Sequence, residues 1–179
     1  TEFNVPYGTT YESMALPTSP YGTWAWTTTG TVGNVSETPY DYTVKFTPSD
    51  ANKQNYAEVT QTINVTVTKA KITAELTGAQ LVYNGSEQTK GFQFKDTEGT
   101  VISLMEGTGK DYTVTGHKNT NAGNYEIKIT LSGNYEFAAN TPDLSYTIGK
   151  ATNGWTEGTP VLSDEDRTWK YLDPQVTLS

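Results

Sequence analysis

The chain has 179 residues, 20 acidic against 12 basic side chains and a formal net charge of −8. Nucleic acid is therefore not expected as a partner, because phosphate neutralisation needs clustered Lys and Arg. The chain contains no cysteine, which excludes disulfides and thiolate metal sites. No apolar run approaches the roughly 18 residues of a membrane span, so no membrane insertion is expected in this segment.

The first part of the chain reads as short strands separated by turns. Apolar and polar residues alternate with the period of two that places one face of a strand on a core and the other in water. The turns between these stretches are rich in Gly, Pro, Asn and Asp. In chain order, the alternating stretches are residues 2–7, 23–27, 41–47 and 62–68.

The phase of the alternation changes around Lys69-Ala70. Large apolar residues fall on odd numbers before this point and on even numbers after it, so a continuous strand would present them first to one face and then to the other. The residues concerned are Ile63, Val65 and Val67 before the change, and Ile72, Ala74 and Leu76 after it. Two cores and a joint between two modules are therefore predicted here.

The second module repeats this plan. Asn84-Gly85 between strand-like residues is a strong hairpin signal, and the module closes with Leu144, Tyr146 and Ile148 on one strand face. A second Lys-Ala pair follows at Lys150-Ala151 and predicts a second joint.

Three pairs of anchors place the two modules in register at a period near eighty residues, which is the spacing left by tandem copies of a domain. Tyr42 aligns with Tyr125, Asn55-Tyr56 with Asn134-Tyr135, and Ala70 with Ala151. Each copy has room for about seven strands, so we expect an all-β chain of tandem, mostly antiparallel β-sandwich domains.

The predicted domains are residues 1–69 as repeat 1 and residues 70–150 as repeat 2. Tyr7 aligns with Tyr83. Most of the residues that precede Tyr83 in the second module have no counterpart before Tyr7, so the first strand of repeat 1 is expected to be missing. Residues 151–179 are too few for a third copy, and we expect a partial third repeat or a strand-forming tail. Such a tail could pair with an open sheet edge and mediate self-association.

At these residues the chain resembles the bacterial immunoglobulin-like repeats of the MBG and YDG type. The matching stretches are YGTTYESM, GTWAW and YDYTVKFTPSDANKQNY in the first module, and VYNGSEQ, KDYTV, TNAGNYEIKITLSGNY and YTIGKA in the second. The resemblance covers about 150 residues and implies immunoglobulin-like domains in a bacterial cell-surface or extracellular protein, with neighbouring repeats as partners. It implies a structural or spacer module, in an adhesin for example, and supplies no catalytic residue.

The residues themselves also predict no enzyme, cofactor or metal site. His117 is the only histidine and lies in a turn-like stretch, and the acidic pairs lack the spacing of a calcium loop. The alternative function is a carbohydrate-binding module that uses exposed Trp and Tyr, with a host or glycan ligand. Its candidate residues are Trp24, Trp26, Trp155 and Trp169.

Trp24 and Trp26 lie two residues apart and so share one strand face. That face is either the core face, which we favour because large aromatics in this chain are needed inside, or a flat platform for a sugar ring. Tyr11, Tyr21 and Tyr40 are expected to make exposed contacts instead.

Overall fold

The computed structural model describes residues 2–152 and four two-residue strands beyond them. The described residues form strands and turns, with one short 3-10 helix at Tyr11–Ser13 and no α-helix. The sequence prediction of a β-rich chain is therefore confirmed. The described residues include no helix that is both long and apolar enough to cross a membrane.

The N-terminal residues form one four-stranded sheet, which we call sheet I. Its strands are β1 (Glu2–Pro6), β2 (Gly22–Trp26), β3 (Tyr40–Pro48) and β4 (Val59–Thr68), in the order β1-β4-β3-β2. β1 runs parallel to β4, whereas β4, β3 and β2 are antiparallel neighbours. The two ends of the N-terminal segment therefore meet side by side.

Ten strands follow between residues 70 and 149. They are β5 (Ala70–Thr77), β6 (Leu81–Val82), β7 (Gln88–Thr89), β8 (Gly91–Lys95), β9 (Val101–Ile102), β10 (Tyr112–Thr115), β11 (Lys118–Asn119), β12 (Gly123–Leu131), β13 (Tyr135–Phe137) and β14 (Leu144–Gly149). Sheet II has the order β13-β5-β8-β9, sheet III has the order β10-β12-β14-β6, and β7 pairs with β11. Because β13 is parallel to β5 and β6 is parallel to β14, the sheets are mixed.

The last four strands are β15 (Gly154–Trp155), β16 (Val161–Leu162), β17 (Trp169–Lys170) and β18 (Val176–Thr177). β15 pairs with β18 and β16 pairs with β17, both antiparallel. The remainder of the predicted third repeat lies outside the described residues.

The contacts group the chain into two compact units. One comprises Thr1–Glu75, Phe92–Val114 and Ile129–Pro142, and the other comprises Leu76–Gly91, Thr115–Lys128 and Asp143–Ser179. Residues 70–150 contribute to both units, and the segmentation of the sequence into repeats 1–69 and 70–150 stays a prediction.

The change of phase at Lys69 is confirmed. Val65 and Val67 of β4 are 0% and 2% exposed, and Ile72 and Ala74 of β5 are 1% and 2% exposed. β4 and β5 belong to different sheets, and only Lys69 lies between them. One residue thus suffices to transfer the chain from one sheet to another.

The core on sheet I includes residues from outside the strands. Buried Val44, Ile63, Val65 and Val67 from β3 and β4 form one cluster with Tyr11, Met14 and Val32. The expectation that Tyr11 is exposed is wrong, since only 4% of it is accessible. The 3-10 helix carries its ring over the sheet, where it makes an edge contact with Tyr42 at 5.0 Å.

Sheet III has its own buried residues. Leu144, Tyr146 and Ile148 of β14 are 7%, 7% and 1% exposed, as their alternation predicts, and Ile127 of β12 is also buried. The Tyr146 hydroxyl donates to the Gly116 carbonyl at 3.0 Å and accepts from the Asn119 amide at 2.8 Å. A buried hydroxyl with both partners costs little, so the tyrosine also fixes the turn before β11.

Sheets I and III share one plan. In each, the strand that comes first in the chain runs parallel to the strand that comes last, and that last strand is antiparallel to its neighbour on the other side, β3 in sheet I and β12 in sheet III. Backbone hydrogen bonds recur at corresponding places at the ends of the strands. They are Tyr7 N–H to Thr68 O at 2.8 Å and Tyr83 N–H to Gly149 O at 2.9 Å, together with Ser49 N–H to Tyr21 O at 2.9 Å and Ser132 N–H to Asp111 O at 2.8 Å.

Candidate binding groove along strand β2

A groove of about 550 Å³ runs along β2, at the open edge of sheet I. One wall is β2 itself and the other is the segment from Met14 to Ser19. Trp24 and Trp26 both line it, together with apolar Met14 and Leu16. Hydroxyl groups and one carboxylate also line the groove, from Thr18, Ser19, Thr23, Thr28, Thr29 and Glu12. Aromatic edges beside hydroxyl groups are suited to an uncharged polar ligand such as a sugar.

The two tryptophans are also part of the sheet I packing. Trp24 lies 5.3 Å from the Phe46 ring, and Trp26 lies 5.7 Å from the rings of both Phe3 and Tyr11. Both indoles are half-buried against the core cluster. They therefore line the groove while their remaining surface packs inward.

The indole of Trp26 is fixed by a hydrogen bond. Its Nε1–H donates to the carbonyl of Met14 at 3.2 Å, which ties β2 to the opposite wall of the groove. A buried indole N–H normally finds such a partner. The donor is consequently occupied, and a ligand would have to use the hydroxyl groups and Glu12.

Trp155 and Trp169 lie in different strand pairs. Trp155 of β15 stands opposite Val176, and Trp169 of β17 stands opposite Leu162. Their side chains lie outside the described residues, so their part in a binding site stays a prediction.

The sequence did not predict that Tyr21 and Tyr56 form an exposed aromatic pair. The rings of Tyr21 and Tyr56 stack at 4.7 Å with an interplanar angle of 21°, and the residues are 47% and 41% exposed. Partial desolvation raises the pKa of Tyr56, and the neighbouring Tyr21 adds to the rise. Tyr21 was expected to be exposed and is, whereas Tyr40 is half-buried and donates its hydroxyl proton to the Asn34 carbonyl.

Lys90 is a second feature that the sequence did not reveal. It is only 8% exposed, and its Nζ donates to the carbonyls of Gly78 and Ala79, both at 3.0 Å. It lines a cavity of about 330 Å³ that also contacts Gln80 and Tyr146. The two carbonyls accept two of the three hydrogen bonds that the desolvated ammonium group can donate. Lys90 thereby fixes the backbone at Gly78 and Ala79, just after β5.

The described residues contain no cluster of three or more side chains of the types that bind metals. Asp50, one of the acidic turn residues, pairs with Lys53 at 3.2 Å, and Ser49 accepts a hydrogen bond from Asn52. The acidic run at residues 164–166 lies outside the described residues. His117 lies half-buried in a bend before β11.

No protein-family model, no curated protein and no solved structure matches this chain.

Proposed function

We propose that this chain is a non-catalytic structural module of a bacterial extracellular or cell-surface protein, built from tandem immunoglobulin-like β-sandwich repeats of the MBG and YDG type. The module spaces or presents another region of that protein, such as an adhesive one. The single observation that carries the proposal is the shared plan of sheets I and III, whose strand order is the same and whose hydrogen bonds at the strand ends correspond. Tandem repeats that contact only their neighbours along the chain build extended proteins.

The joint at Lys69 supports a spacer in particular. β4 ends at Thr68 and β5 begins at Ala70, so one residue connects two sheets. A joint without Gly, Pro or extra length has little conformational freedom. Two further hydrogen bonds and one ring contact, from Asn134 and Tyr135, restrain the same joint.

A spacer requires that its repeats do not fold back on one another. We expect small-angle scattering to give a radius of gyration clearly above the roughly 16 Å of a compact chain of this length. Insertion of Gly-Gly-Ser-Gly after Lys69 should broaden the distribution of distances. A compact particle, or an insertion variant that scatters as the parent does, would contradict the spacer role.

A second candidate function is glycan binding in the groove along β2. The specific observation in its favour is that Trp24 and Trp26 line one groove with five hydroxyl-bearing residues and Glu12. A sugar ring could contact the accessible indole surface while its hydroxyls bond to these side chains.

Tryptophan fluorescence with a neutral quencher separates the two functions. For the spacer, the indoles should be poorly quenched and indifferent to a panel of soluble glycans. For a binding module, one glycan should protect them, and Glu12→Gln should weaken that protection without touching the core. Glycan protection that Glu12→Gln leaves unchanged would place the ligand outside this groove.

A further inference from the structure

The joint after β4 contains a side-chain clamp. The ring of Tyr135 meets the ring of Tyr7 edge-on at 5.6 Å. Next to it, Asn134 accepts a hydrogen bond from the Val35 N–H at 2.9 Å and donates to the Asn34 side chain at 3.0 Å. The Asn134 carbonyl also accepts from the Ala70 N–H at 2.9 Å. The pair Asn134-Tyr135 therefore contacts both Tyr7 and the loop at Asn34 of the N-terminal segment. We call this set of contacts the clamp.

Both halves of this clamp occur a second time in the chain. Asn55-Tyr56 aligns with Asn134-Tyr135, and Tyr83 aligns with Tyr7. The structure supports the second alignment, because Tyr7 and Tyr83 each donate their N–H to the carbonyl of the last residue of the partner strand, Thr68 of β4 or Gly149 of β14. The surroundings of the aligned pair agree too. Tyr56 stacks on Tyr21, and the pKa of Tyr135 is raised by burial first and then by Tyr7 and Asp111. Asp111 corresponds to Tyr21 in the backbone pattern, because its carbonyl accepts from the Ser132 N–H as the Tyr21 carbonyl accepts from the Ser49 N–H.

The second set differs from the first in exposure. Tyr7 and Tyr135 are half-buried against each other. Tyr56 is 41% exposed and Tyr83 is 40% exposed, so both rings present apolar surface to solvent. The counterpart of Tyr135, which is Tyr56, and the counterpart of Tyr7, which is Tyr83, are therefore both exposed to solvent on the same molecule.

We propose that the surface around Asn55 and Tyr56 docks the Tyr83 surface of a second copy of this chain, head to tail, with the geometry of the internal clamp. The occupant is argued from the internal joint, where side chains of the same types already pair in this way. Each copy presents both halves, so the contact is heterologous and can continue from copy to copy. This inference rests on the proposed equivalence of the repeats but not on the spacer role.

The contact is expected to be weak and promoted by salt. The internal clamp forms within one chain, where tethering supplies an effective concentration in the millimolar range that separate copies lack. Each copy also carries a net charge of −8, so copies repel one another at low ionic strength. Added salt screens this repulsion and leaves an aromatic contact intact.

The test uses the full chain at about millimolar concentration, the range in which such a contact is expected to form, in low and high salt, measured by sedimentation. We expect reversible association that rises with salt and falls at least several-fold in Tyr56→Ser and in Tyr83→Ser. The matched control is Met105→Ser, which removes a side chain that is 59% exposed and lies outside both surfaces. A parent chain that remains monomeric, or a control that loses association equally, would overturn the proposal.

Disulfide trapping gives a second readout that does not depend on affinity. The chain has no cysteine, so Asn55→Cys and Asn84→Cys can be introduced on separate copies and mixed under mild oxidation. We expect the mixed dimer to exceed the statistical share of one half. A statistical yield would reject head-to-tail docking. It would not bear on the shared plan of sheets I and III, which has a separate test.

Discussion

Sheets I and III have the same strand order, yet the segments that contain them differ. Between residues 70 and 149 the chain also forms sheet II, and Phe94 of its strand β8 contacts Tyr112 of β10 at 4.9 Å. Among the described residues before Lys69, sheet I is the only sheet, and Tyr11, Met14 and Val32 cover it from a 3-10 helix and loops.

The N-terminal segment shows that side chains from irregular backbone can cover the four-stranded framework. What the framework requires is apolar volume on its inner face, and a few large side chains from irregular backbone supply it where strands do not. The half-buried Trp24 and Trp26 contribute to the same cover, and the groove along β2 lies beside it.

The largest effects should come from the shared framework. We expect Ile63→Ala in sheet I and Ile148→Ala in sheet III each to lower the free energy of unfolding by about 2–5 kcal/mol, because both side chains are at least 97% buried. Denaturant unfolding measures both. The exposed controls Thr62→Ala and Ser145→Ala, one in each strand, should change it by no more than about 0.5 kcal/mol. A loss confined to one isoleucine would break the equivalence of the two sheets.

A smaller effect should come from a buried lysine, which among the described residues only the segment of residues 70–149 contains. Lys90→Met removes a buried ammonium group from the Gly78 and Ala79 carbonyls, and we expect a loss of about 1.5–3 kcal/mol. Lys95→Met is the matched control, because its ion pair with Glu75 is partly exposed and should contribute less than the two bonds of Lys90. Equal losses in the two variants would mean that the Lys90 bonds add nothing beyond a surface contact.

An effect that appears only at high pH concerns the loop cover of sheet I. Burial, together with Tyr42, raises the pKa of Tyr11 from 10.0 to about 12. Between these values the unfolded chain has lost the Tyr11 proton and the folded chain has kept it, so stability falls as the pH rises through this window. In Tyr11→Phe this part of the fall should disappear, as measured by unfolding at pH 9, 10, 11 and 12. An unchanged slope would show that Tyr11 is not protected from ionisation.

Sequence predicted the strands because their period of two is a local property. Val65, Val67, Ile72 and Ala74 are buried as their alternation and its change of phase require. It could not predict the cover of sheet I, because Tyr11 and Met14 lie in a segment without periodicity, and their burial depends on where the chain returns across the sheet.

The same limit applies to the candidate sites. The spacing of Trp24 and Trp26 placed them on one face, but only the structure shows that this face contacts both core and groove. Lys90 looked like any surface lysine, since its two acceptors are backbone carbonyls, which no sequence pattern marks. The stacked Tyr21 and Tyr56 are 35 residues apart and meet only through the fold.

The shared plan of sheets I and III can be tested directly by nuclear Overhauser contacts in the full chain. The parallel pairing of the first strand with the last places Val5 opposite Val67 in sheet I and Leu81 opposite Ile148 in sheet III. We predict cross-strand backbone contacts for both pairs. Contacts for Val5 and Val67 without those for Leu81 and Ile148 would contradict the account, because sheet III would then lack the strand that gives it the strand order of sheet I.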